Sequence, residues 1–145
     1  NDQIFYGGDG VVEKCDYGND DNGSSIQVEC KQAYNYFGER GQQKDFRMVR
    51  PIFTSDGAFS PAISLNLDFA NKIPTNSTTY VGGGFAWNTT LWNTKPWSNY
   101  QIIQKKWIVA NGVGYCASLH FIANVKGMSI KYISSDYVYE TGGII

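Results

Sequence analysis

Few residues of this sequence are suited to chemistry. The single histidine, His120, lies in the run Leu119–Val125 on the parity opposite to the apolar side chains. Imidazole moves protons near neutral pH better than any other side chain. A lone histidine on the polar face of a strand, with no nucleophile or carboxylate at a recognisable spacing, reads as an ordinary surface or boundary residue. No G-x-S-x-G elbow, H-E-x-x-H pair or G-x-x-x-x-G-K-S/T loop occurs. The hydrolase, zinc-peptidase and nucleotide-phosphate mechanisms therefore lack their working parts. Asp56, Asp68, Asp136 and Glu140 form a glycosidase pair only if the fold brings two of them together. Asp68 alternates with core residues and reads as a surface charge. The expectation is a protein that is not an enzyme, with no catalytic residue to nominate.

The best metal candidate is Gly18-Asn19-Asp20-Asp21-Asn22-Gly23 followed by Glu29. Against the calcium-loop pattern D-x-D/N-x-D/N-G-x5-E, Asp20, Asn22, Gly23 and Glu29 are in place. Gly18 stands where the anchoring carboxylate belongs, and the flanks read as strands, so a polar turn explains the composition without an ion. No metal or cofactor is expected. Cys15, Cys30 and Cys116 are an odd number without C-x-x-C spacing, which points to buried free thiols. A Cys15–Cys30 bridge across a hairpin is the alternative. The Asn-x-Ser/Thr triplets at Asn22, Asn76 and Asn88 are glycan acceptors only in a secreted eukaryotic protein and otherwise reflect polar loops.

The elements that must position these residues are strands. Ile26, Val28, Cys30, Tyr34 and Tyr36 share one parity, and Ile63, Leu65, Leu67 and Phe69 alternate with Ser64, Asn66, Asp68 and Ala70. Tyr115 to Val125 and Met128 to Tyr132 repeat the pattern, with Lys126-Gly127 between them reading as a tight hairpin turn. Ile63, Leu65, Leu67, Phe69, Leu119 and Phe121 should point inward together. Phe46, Met48, Val49, Ile52 and Phe53 make a strand apolar on both faces, with Pro51 suggesting an edge or a bulge. Short strands around Ile4–Tyr6 and Val11–Lys14 flank Gly7-Gly8-Asp9-Gly10. No capped 3.6-residue stripe appears. The fold class is all-β: one antiparallel two-sheet β-sandwich of about seven or eight strands with one long Trp-rich loop.

One domain's length, 145 residues, with 15% aromatic residues and 16 glycines, agrees with sheet and turn. A net charge of −1 excludes non-specific nucleic-acid binding by bulk charge, and no apolar run is long enough for membrane insertion. The stretch from Asn71 to Asn99 has no acidic residue and holds Trp87, Trp92 and Trp97 five residues apart. That spacing fits neither a helix face nor a strand. The indoles either seal an end of the sandwich or form a stacking surface for sugars or a neighbouring subunit.

The ending carries a resemblance. Trp107 through Val113-Gly114-Tyr115, then Ser134-Ser135-Asp136-Tyr137-Val138-Tyr139-Glu140 and Gly142-Gly143-Ile144-Ile145, resembles the C-terminus of short-tailed bacteriophage tail-hub or nozzle proteins, also called packaged-DNA stabilisation proteins. Those chains also carry tryptophans at five-residue intervals. Asp21–Ile26, Tyr36-Phe37-Gly38 and Lys44–Pro51 fit the junction leaving their β-propeller region. The resemblance covers most of the chain, and its motifs are structural. It implies a virion tail component, made in the host cytoplasm and assembled with other tail subunits in a homo-oligomeric ring around the DNA exit channel. DNA would pass nearby without specific binding. Residues 1–145 would then be the C-terminal part of a longer chain, with residues 1–20 ending a preceding propeller-like region. The competing class is a host-glycan binding module. Trp87, Trp92, Trp97 and Trp107 are the interface or ligand-stacking candidates for either.

Overall fold

Alternation of apolar and polar side chains sets out nine antiparallel strands in a computed structural model that describes residues 3–15, 17–75, 77–80 and 101–142. Among these residues there is no helix, and hence none long and apolar enough to cross a membrane. β1 (Phe5–Gly8) and β2 (Val11–Lys14) pair only with each other. Asp9 and Gly10 turn between them with φ of 48° and 80°, the left-handed pair a two-residue hairpin loop requires. The other seven strands form two facing sheets. One is β3 (Ile26–Lys31), β8 (Ala117–Val125) and β5 (Ala62–Leu67), with β8 in the centre.

The second sheet is built around β4 (Lys44–Ser55). β9 (Ile130–Thr141) runs along one side of it for its full length. On the other side β7 (Ile108–Gly114) pairs with Lys44–Val49, and β6 (Ile102–Lys105) pairs with Ile52–Ser55. β4 is therefore a central strand and not an edge, and of the two readings Pro51 suggested the bulge is the one that holds. Pro51 falls in the gap between β7 and β6, where a residue without an N–H is tolerated. Register shifts lie at Phe46/Met48 and Ile52/Phe53. The first explains the two apolar faces. Lys44 and Phe46 are buried before it, and Val49, Pro51, Phe53 and Ser55 after it, so an extra residue moves the inward face from even to odd positions.

Between the sheets lies an aromatic core. Phe53 meets Phe59, Tyr80, Phe121 and Tyr132 with ring centroids 5.2–5.6 Å apart, in the edge-to-face geometry that aromatic quadrupoles favour. Ile63 faces Phe121, Leu65 faces Leu119 and Leu67 faces Ala117 across the β5–β8 pair, as their shared parity requires. Phe69 departs from that expectation: it lies beyond β5, has φ of 63°, is 65% exposed and packs on Tyr34 at 4.5 Å. Lys126-Gly127 is a tight turn but does not close a hairpin. β8 pairs with β3 and β5 while β9 pairs with β4, so the turn carries the chain from one sheet to the other.

Candidate assembly surface

The hairpin of β1 and β2 forms an arm with its own two-stranded sheet, next to the start of β3, where Tyr6 and Lys14 line a cleft with Ser25 and Ile26. Its strands pair only with each other, and Ile4, Phe5, Tyr6, Val11 and Val12 are all exposed, Val12 by 77%. In the antiparallel register, Phe5 and Val12 lie on one face with Lys14, and Tyr6 and Val11 on the other with Glu13. Each face thus carries exposed apolar side chains beside one charged residue. A two-stranded hairpin is marginally stable in water without a surface to pack against.

A second apolar surface is the outer face of the large sheet. The inward residues of β4 leave Met48, Arg50, Ile52 and Thr54 facing out, and the register sets Val109 and Val138 beside Met48. Val109 is 67% exposed, and Ile103, Val113 and Val138 are also exposed. At the centre Arg50 lies over the Trp107 ring, 4.6 Å from its centroid, and donates from Nε and Nη2 to one Asp136 oxygen at 2.9 and 2.6 Å. Trp107 is 37% exposed. The guanidinium covers one ring face and fixes the indole, as Arg–aromatic stacking does. The pair itself is partly solvated and contributes little to stability, about 0–1 kcal/mol. Towards β6 the face carries Lys105 and Lys131, which have no acidic partner among the described residues.

The remaining sequence candidates scatter. Trp87, Trp92 and Trp97 lie outside the described residues. His120 is not a surface residue. It is 4% exposed, with Nε2 2.7 Å from the Glu29 carboxylate and Nδ1 3.2 Å from the Lys72 carbonyl. The pairing holds residues 70–73 across the outer face of the small sheet, where the Lys72 N–H donates to Asn66 Oδ1 at 3.1 Å and Ser64 Oγ donates to the Lys72 carbonyl. Glu29 is thereby committed away from the Asp20–Gly23 turn, in which Asp20 Oδ1 accepts the Gly23 N–H. No cluster of three metal-ligating side chains occurs among the described residues. Asp68 is also more than a surface charge. Its Oδ1 accepts the N–H groups of Tyr115 and Cys116 at 2.8 and 3.1 Å, pinning the end of β5 to the β7–β8 connection. Burial, foremost, and the Asp68 charge push the Cys116 thiol pKa up. Cys15, Cys30 and Cys116 are free, so the Cys15–Cys30 bridge is not formed, but of the three expected buried thiols only Cys116 is buried; Cys30 is half-buried and Cys15 exposed.

Two polar features escaped the sequence reading. Gln32 bonds the hydroxyls of Tyr132 and Tyr137, and Ser135 Oγ sits between those tyrosines. This network ties β9 to the segment after β3. Burial pushes the Tyr137 pKa up to about 12. Lys44 is 1% exposed and donates to the carbonyls of Glu39, Gln42 and Tyr115, using the three protons of its ammonium. No spacing rule marks either one, because each partner is brought in by the fold. No family model matches this chain, and no curated protein or solved structure matches it either.

Proposed function

We propose that this chain is a structural, non-catalytic component of a bacteriophage tail that assembles with neighbouring subunits around the DNA exit channel. The observation that carries the reading is the arm: a hairpin whose strands, among the described residues, pair only with each other and whose Phe5, Tyr6 and Val12 are more than half exposed. Contiguous exposed apolar surface on a soluble protein marks a contact with a partner. The outer sheet face supports the same reading, with Val109, Val138 and Ile103 around a fixed Trp–Arg stack of the kind enriched at interface cores. The sequence resemblance at the C-terminal end supplies the tail setting. A net charge of −1 suits a wall past which DNA slides, because a basic lumen would grip phosphates. In the glycan-binding alternative an indole must offer a ring face to sugar, and at Trp107 Arg50 occupies one of them.

The test is antibody labelling of purified tailed particles together with adsorption of the free chain to host polysaccharide. Label on the tail and no adsorption are expected. Adsorption to polysaccharide with no label on the particle would overturn the tail reading in favour of glycan binding.

A further inference from the structure

We propose that the β1–β2 arm of one copy of this chain seats on the outer face of the large sheet of a second copy, head to tail. The inference rests on the assembly reading above and names the partner. Charge complementarity selects a second copy. The arm and the turn after it carry Asp9, Glu13, Asp20 and Asp21 against a single lysine, Lys14. The β6 end of the sheet face carries Lys105 and Lys131, neither of them in an ion pair among the described residues.

The arm is also shaped for such a contact. A Cβ built on Gly8 meets nothing within 4 Å, and one on Gly7 meets only the Val11 carbonyl of its own hairpin, at 3.7 Å. The backbone there can approach a neighbour's side chains closely. Val12 beside this bare strip and Val109 on the sheet are the most exposed apolar residues of their respective surfaces. Arm and sheet face are different patches, so the contact is heterologous and repeats from copy to copy. Such a contact generates a ring if the rotation closes and an open filament if it does not.

Two double variants test the contact by sedimentation velocity over a concentration series at low salt. Glu13→Lys with Asp21→Lys makes the arm basic; Lys105→Glu with Lys131→Glu makes the sheet face acidic. All four sites are on the surface strands or turn, and circular dichroism checks that each variant keeps the sandwich. Each double variant alone is expected to weaken self-association by about tenfold or more, through like-charge juxtaposition. An equimolar mixture restores it, because the basic arm now meets an acidic face and the acidic arm a basic one. Wild-type association that both variants leave unchanged, or a mixture that fails to restore it, overturns the arm-to-face contact and leaves assembly by another surface standing. A wild-type chain that stays monomeric throughout the series overturns the contact, and if it is also missing from tail particles the assembly reading falls with it.

Discussion

Tyr80 stacks on Phe59 at 5.3 Å and is 3% exposed, and its hydroxyl meets no partner among the described residues. Burial pushes its pKa up to about 12, as it does for Tyr137. Both phenols are held neutral in the fold, while in the unfolded chain they ionise at 10.0. The folded state therefore binds these protons more tightly. The stabilisation is complete below pH 10 and is lost as pH rises through about 12. Denaturant melts across that window should show the loss, and Tyr80→Phe should make it shallower. At neutral pH Tyr80→Phe should leave stability unchanged or raise it by about 1 kcal/mol, since it removes a desolvated hydroxyl; a loss of that size would contradict the placement. Asp68→Asn weakens charge-assisted bonds to two N–H groups and should cost about 1.5–3 kcal/mol in urea unfolding. Parity made Asp68 look solvated. Its φ of 46° turns the backbone at that residue, a departure that alternation cannot encode. His120 was misread for a related reason: its strand and face were legible, but residues 70–73, which cover that face, follow no periodic pattern.

At the scale of elements, strand positions were legible because each strand has one wet and one dry face, and period-2 alternation records that. Pairing was not. The same alternation allows β8 to pair with β9 or with β3 and β5, and a Lys-Gly turn suits either a hairpin or a crossing between sheets. In β4 the inserted residue at Phe46/Met48 reverses the inward parity midway, so the even and odd apolar sets are successive halves of one buried face, with Met48 and Ile52 half-buried on the other. Phe53, beyond that bulge, touches four aromatic rings. Phe53→Ala should therefore cost about 3–5 kcal/mol, more than Leu67→Ala at about 2 kcal/mol. Leu67 is half-buried and lines a cleft of about 240 Å³ between β5 and β7, where neighbours can shift. Equal losses in equilibrium unfolding would place the centre of the core elsewhere.

For the whole molecule, the two-sheet sandwich was legible in composition and alternation, with seven strands in its sheets and two more in the arm. The four tryptophans drew attention to the C-terminal half of the chain. The most conspicuous uncovered apolar surface among the described residues lies in the other half, in a hairpin whose four-residue strands gave only a weak signal. Exposure is a property of the folded whole, and no local pattern distinguishes an apolar strand that is covered from one that is not. In the proposed tail assembly a neighbouring subunit covers this arm. Amide hydrogen exchange over Phe5–Lys14, compared between the free chain and intact particles, decides whether it is covered. In the free chain these amides should exchange far faster than those of β4 and β8, because the hairpin opens without disturbing the sandwich. In the particle they should be slowed by about tenfold or more as packing closes over the arm. Arm amides that exchange equally fast in both states would show that no subunit covers the arm.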